Sequence, residues 1–237
     1  GHTREAAQEF SRAIEVDRDN PEAFNNLGIM YRRLGRPGDA VKALRSAISL
    51  DPDRADLRYN LANVYKLAGD IDGAAAGYRK AIELDPRFLP AYNNLGNLLA
   101  GQRLHSDARE IFQSGLYYDP NHPGLHYNVG LTQMREGNLE AAVGSFARAL
   151  RSRPGWVDAL NNHGVVLERL GRLGHLQGHQ PKERRGSIRR QRPPEQRVDE
   201  SPQPLLGSQF RIGDGREIRV LLHALVGGFE DGPVQAL

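Results

Sequence analysis

The chain has 237 residues, 39% of them hydrophobic and 26% charged, and its 32 lysines and arginines against 29 carboxylates leave a formal charge of +3. That composition supports a buried core, unlike the charged, apolar-poor chains that stay unfolded, and so small an excess of positive charge gives no electrostatic footprint for nucleic acid. Cysteine is absent, which excludes disulfides and thiolate-bound metal, and the best apolar run, residues 220–229, contains His223 and two glycines and falls short of the roughly 20 residues that cross a bilayer.

The chain opens on Gly1-His2-Thr3-Arg4-Glu5, without an initiator Met or a basic start leading into an apolar segment. No signal peptide is visible, and a cytoplasmic location with no membrane partner is expected. Residues 1–20 carry Ala6, Phe10 and Ala13 on one helical face, and the same small–large–small spacing returns 34 residues later at Ala40, Leu44 and Ala47. Shifting the sequence by 34 brings 21–54, 55–88, 89–122 and 123–156 into register, with Val157 opening a fifth unit. A period of that length marks a stacked-repeat architecture.

Each unit divides into two amphipathic helices. The first carries a small residue at its eighth position (Gly28, Ala62, Gly96, Gly130, Gly164) after an apolar one (Leu27, Leu61, Leu95, Val129). The second carries Ala40, Ala74, Ala108 or Ala142, then Leu44, Tyr78, Phe112 or Phe146. Small residues at a fixed period predict places where two helices approach closely. Gly35, Gly69 and Gly137 are expected to end first helices, because glycine accepts the left-handed conformation of a helix terminus. Asp51-Pro52, Asp85-Pro86 and Asp119-Pro120 are expected to stop the second, because proline disfavours helix at the residue before it. Three positions depart from the pattern: Arg58 and His126 stand where Phe24 and Tyr92 place a ring, and His163 stands where other units have Leu or Val.

These residues resemble the tetratricopeptide repeat family, in which a 34-residue helix-turn-helix unit stacks into a right-handed superhelix with a concave groove. The resemblance covers residues 1–172 and implies an all-α solenoid: a half repeat at 1–20, repeats at 21–54, 55–88, 89–122 and 123–156, and the first helix of a fifth unit at 157–172. A start inside a repeat, without the polar cap that terminal repeats carry, is expected of a fragment.

After Arg172 the period fails; Leu176 falls where alanine is expected, and 173–180 replaces the second helix. Residues 181–204, rich in Arg, Pro and Gln, are expected to be poorly ordered. Residues 210–212 and 216–226 flank Gly213-Asp214-Gly215 and are read as a hairpin or a short helix. Nine arginines against one lysine after Arg172 fit either an out-of-frame translation or a natural linker, which the coding DNA read in its other two frames distinguishes.

Asparagine recurs at the sixth residue of every unit: Asn26, Asn60, Asn94, Asn128 and Asn162. It costs roughly 0.5 kcal/mol against alanine inside a helix, so its repetition calls for another cause. An amide both donates and accepts, and a column of amides along a groove would hold the main chain of an extended peptide with little regard to its side chains. Asn63 and Asn97, one turn onward in two units, would widen the strip. The ladder resembles the repeat region of the O-linked N-acetylglucosamine transferases, in which the resemblance implies that such asparagines line the concave face; Asn25-Asn26-Leu27-Gly28 and Asn93-Asn94-Leu95-Gly96 carry it. The competing reading is that the amides hydrogen-bond neighbouring helices or were copied by repeat duplication.

Other chemistries find less support. Tetratricopeptide domains that clamp a chain-terminal carboxylate use lysines beside the groove asparagines, where this sequence has Asn25, Tyr59, Asn93, Tyr127 and Asn161. The basic run of Lys182, Arg184, Arg185, Arg189, Arg190 and Arg192 has no interleaved aromatic residue to stack a base. His175 and His179 have the spacing of a metal pair only on a helix, which the adjoining glycines disfavour. No nucleophile–base pair, carboxylate cluster or phosphate-cradling loop is present, so no catalytic residue, cofactor or metal is expected. The sequence reads as a protein-binding adaptor scaffold, or as the substrate-targeting arm of a larger glycosyltransferase of that kind.

Overall fold

The computed structural model describes residues 1–178, 209–211 and 217–219. One compact unit, Gly1–Lys182, contains ten helices among the described residues: α1 (His2–Val16), α2 (Pro21–Arg33), α3 (Pro37–Leu50), α4 (Ala55–Leu67), α5 (Ile71–Leu84), α6 (Leu89–Gly101), α7 (His105–Tyr118), α8 (Pro123–Arg135), α9 (Leu139–Ser152) and α10 (Val157–Gly178). Each helix packs on its neighbours in sequence, and the first helices of successive units touch as well, in the pairs α2–α4, α6–α8 and α8–α10. Within this unit the fold is the all-α solenoid that the 34-residue period implies.

The expected boundaries hold for local reasons. Asp51, Asp85 and Asp119 cap the second helices, and Asn20, Asp70 and Asn138 accept the backbone N–H groups of Ala23, Gly73 and Ala141 at 3.0, 2.9 and 3.3 Å, satisfying donors a helix start leaves open. Gly35, Gly69 and Gly137 turn the chain at φ of 69°, 81° and 81°. The third unit makes the same turn with Arg103, at φ 65°, a conformation that costs an L-residue about 1–2 kcal/mol.

The core is the repeated contact between the two helices of a unit. Ala40, Ala74, Ala108 and Ala142, and one turn further along the same face Leu44, Tyr78, Phe112 and Phe146, all have 0% exposure. Burial of each large side chain contributes roughly 1.5–3 kcal/mol. The eighth-position glycine makes room for it: a Cβ on Gly28 would lie 2.6 Å from Leu44 Cγ, and one on Gly96 would overlap Phe112. The second unit reverses the arrangement, with Ala62 facing Gly77. One of the departures, His126, proves equivalent to the ring it replaces. Tyr92 OH donates to the Pro86 carbonyl at 3.1 Å and His126 Nε2 to the Pro120 carbonyl at 2.8 Å, so the histidine replaces the phenol in tying a unit to the proline that ends its predecessor. Arg58 Nε and His163 Nε2 are buried without a hydrogen-bond partner among the described residues.

One boundary differs from the sequence reading. α10 does not end at Arg172 but continues through Gly171 to Gly178, so His175 lies on a helix despite its glycine neighbours. A glycine costs an uninterrupted helix only about 1 kcal/mol; the other units turn at this position because a second helix packs back against the first. His179, the basic run from Lys182 to Arg192 and residues 181–204, expected to be poorly ordered, lie outside the described residues. In the second unit, Glu183–Leu237, β1 (Gln209–Arg211) and β2 (Glu217–Arg219) pair antiparallel with Phe210 opposite Ile218, realising the hairpin alternative.

Two substitutions test this account of the turns and the core. Gly96→Ala should lower unfolding stability by about 1–3 kcal/mol, because Phe112 must move. Arg103→Gly should raise it by about 0.5–1 kcal/mol, because relief of left-handed strain exceeds the added chain entropy. Urea unfolding of both variants measures the two effects.

Candidate peptide-binding surface

The five ladder asparagines sit at one register position on α2, α4, α6, α8 and α10, each partly exposed. Their spacing places them at the seams between consecutive first helices. Asn60 Nδ2 donates to Asn25 Oδ1 at 2.9 Å, and Asn128 Nδ2 to Asn93 Oδ1 at 2.7 Å. Asn94 Nδ2 donates to Tyr59 OH and to Asn63 Oδ1, both at 3.0 Å, and Asn162 Nδ2 to Tyr127 OH at 2.9 Å. In the second to fifth units the sixth residue thus reaches the fifth residue of the unit before it.

The acceptors were visible in the sequence as the alternating series Asn25, Tyr59, Asn93, Tyr127, yet their role was not, because each partner lies 35 residues away. These bonds occupy one donor of Asn60, Asn128 and Asn162 and both donors of Asn94. Among the described residues none donates to the Oδ1 of Asn60, Asn94, Asn128 or Asn162, so a row of carbonyl acceptors stays open. Asn26 makes no side-chain hydrogen bond with the described residues. The two secondary positions part company: Asn63 Oδ1 accepts from Tyr78 OH at 2.8 Å as well as from Asn94, whereas Asn97 is exposed. The structure therefore uses Asn63 as a second acceptor within the α4–α6 seam and leaves Asn97 exposed and without a side-chain hydrogen bond among the described residues.

Three phenols of the array are held neutral, among them Tyr127, the acceptor of one seam. Burial pushes the Tyr78 phenol from its ordinary value near 10 up to about 12. Burial also raises Tyr92, reinforced by Tyr118, and Tyr127, reinforced by Asp158. They remain protonated at neutral pH. Acidic and basic groups lie at opposite ends of these helices: Glu22 and Asp56 near the starts, both bound by Arg54 at 2.9 and 2.6 Å, and Arg32, Arg33, Lys66 and Arg135 in the last turns.

A separate cleft of about 620 Å³ opens beside α1, lined among others by Arg4, Gln8, Ser11, Tyr31 and Leu34. Among the described residues no cluster of three His, Asp or Glu side chains is placed to hold a metal ion, and no helix is long and apolar enough to cross a membrane.

Comparison with known proteins assigns the architecture. Two models of the tetratricopeptide repeat match, one over residues 31–95 and the other over 1–55, 93–155 and 127–174. The chain belongs to the tetratricopeptide repeat family. No curated protein matches the sequence. Solved tetratricopeptide-like structures similar to it include MamA, 24% identical with a TM-score of 0.57, covering 62% of this chain and 86% of that one. YrrB, described as a tetratricopeptide protein with an unusual peptide-binding site, is 23% identical with a TM-score of 0.56, covering 70% and 86%. PilF of Pseudomonas aeruginosa is 24% identical with a TM-score of 0.58, covering 67% and 72%. At these identities the likeness is one of fold.

The buried phenols make stability fall at high pH. An unfolded chain ionises its tyrosines near pH 10 while the Tyr78 phenol holds its proton to about 12. Over that window the unfolded state binds fewer protons, and stability declines. The unfolding temperature should drop between pH 10 and 12, and less steeply for Tyr78→Phe; equal slopes would show that the phenol ionises freely in the folded protein.

Proposed function

We propose that this tetratricopeptide protein is an interaction scaffold that holds an extended protein segment along its first helices. The observation that carries the reading is the row of Oδ1 acceptors left open after Asn60, Asn94, Asn128 and Asn162 have bonded to the preceding units. Such a row matches the N–H groups of an extended main chain. The inter-unit bonds fix each amide's orientation, so less side-chain freedom is lost on binding. Peptide capture by YrrB, in the same family, supports the same use of the fold. On this reading the chain itself performs no chemistry, takes no cofactor, and engages neither nucleic acid nor membrane.

The recurrence of one amide in all five first helices also supports a second reading, in which the array is the substrate-targeting arm of a larger glycosyltransferase resembling the O-linked N-acetylglucosamine transferases. A catalytic domain encoded in the same gene would favour it.

Titration of a library of unstructured peptides into the full chain tests the ladder. Replacing Asn60, Asn94 and Asn128 together by alanine should weaken binding about tenfold or more, since each net hydrogen bond contributes about 0.5–1.5 kcal/mol. Tyr127→Phe is the comparison: it removes the seam acceptor of Asn162 without removing a ladder amide, and should lower stability while weakening affinity by only about twofold, the cost of freeing one amide. Equal affinity of the triple variant and the parent, with both folded by circular dichroism, would move the search to another face.

A further inference from the structure

The open row of carbonyl acceptors sets how an extended segment lies on the first helices, and the charges on either side of the row then select its composition. In an extended chain the N–H groups point at right angles to the side chains, which alternate between two opposite directions. With its N–H groups turned down onto the ladder, a segment crossing the first helices sends its side chains alternately toward the starts and toward the ends of those helices.

The two directions meet different charge. Toward the starts, Glu22 and Asp56 are already held by Arg54, at 2.9 and 2.6 Å. Toward the ends stand Arg32 and Arg33 on α2, Lys66 on α4 and Arg135 on α8. Arg33 and Arg135 lie seven residues beyond Asn26 and Asn128, with Ile29 and Leu131 between, so each is two turns, about 10 Å, along the face that carries the ladder. Lys66 stands in the same way beyond Tyr59 and Asn63. Arg32 borders the strip itself: burial raises the Tyr78 phenol, the Arg32 guanidinium works against that rise, and the phenol donates to Asn63. Arg33, Lys66 and Arg135 are exposed, and none of the four cations is ion-paired among the described residues.

Cations at helix ends have an ordinary cause, the negative end of the helix dipole. That cause acts on every helix alike, yet of the second helices α1, α3, α5, α7 and α9 only α9 has a basic residue in its last turn, Arg151. The cations follow the ladder face and not helix ends in general. The third unit interrupts them: α6 has Ala100 and Gly101 at the corresponding positions, and a Cβ on Gly101 would meet nothing within 4 Å.

We infer that the segment held on the ladder is acidic, presenting Asp or Glu side chains to Arg32, Arg33, Lys66 and Arg135, with room over Gly101 for a side chain that needs no cation. This rests on the reading of the ladder as a holder of main chain, and adds the side-chain chemistry that the amides themselves do not select.

Fluorescence anisotropy of the full chain tests it with three labelled probes: a Ser-Glu repeat peptide, a Ser-Gln repeat peptide of equal length and a single-stranded thymidine oligonucleotide. At low salt the Ser-Glu peptide should bind about tenfold more tightly than the Ser-Gln peptide, as several exposed ion pairs together provide, and high salt should erase the advantage. A variant combining Arg33→Gln, Lys66→Gln and Arg135→Gln should bring the two peptides to the same affinity. Gly101→Lys, which adds a cation at the open position in the row, should tighten the Ser-Glu peptide about twofold, a gain that misfolding does not produce. Equal affinity of the parent for the two peptides overturns the inference, and the ladder reading survives that result if replacing Asn60, Asn94 and Asn128 by alanine loses both. A Ser-Glu peptide released by the glutamine variant but still held by the alanine variant overturns the ladder reading instead, leaving the acidic preference on the cations alone. An oligonucleotide bound as tightly as the Ser-Glu peptide marks attraction of any polyanion and overturns the inference. A parent that binds no peptide overturns both.

Discussion

The close approach of the two helices within each unit is the contact on which the rest of the array depends. A first helix with a glycine or alanine at its eighth position lets a whole Leu, Tyr or Phe side chain lie against its backbone, and that large residue is wholly buried in every complete unit. Because interiors pack at near-crystalline density, this contact fixes the rotation and depth of one helix on the other. The next unit then inherits the same placement. The ladder stays in register from α2 to α10 because the packing beneath it is the same at every step.

The polar seams use that constancy. An amide that donates backwards to a fixed acceptor serves two ends at once: one of its hydrogens ties neighbouring units together, and its carbonyl is held in a set direction towards whatever lies over the seam. The peptide-holding and helix-bridging readings of the asparagines are therefore compatible, since they call on different atoms of the same side chain. A side chain so restrained loses less freedom on binding than a mobile surface amide does, which gives a physical reason for asparagine in helices that alanine would favour.

Most of the fold was legible in the sequence because its determinants are steric and recur at one period: Gly28, Gly96 and Gly130 mark the close contacts, and the Asp-Pro pairs mark the ends of second helices. What was not legible depends on context. Nothing about Arg103 announces a left-handed turn; the neighbouring units impose it, and the residue bears the strain. His126 looked like a lost aromatic residue, yet it keeps the hydrogen bond to the preceding proline carbonyl. The glycines of α10 suggested a helix end, but a helix turns there only when a partner packs against it. At the ladder, sequence identified the column of amides and not the division of labour among their atoms, because the acceptors differ in chemistry from unit to unit.

That difference gives the array two periods. Its shape repeats with every unit, but the joints alternate between amide–amide at Asn25–Asn60 and Asn93–Asn128 and amide–phenol at Tyr59–Asn94 and Tyr127–Asn162. Steric order thus has one unit as its step, while the chemical order of the surface has two. Loss of a single internal unit would preserve every packing contact and every seam bond, yet set two like joints side by side. Gain or loss of units in pairs would keep the alternation intact, so in such a protein the unit of folding and the unit of recognition need not be the same length of chain.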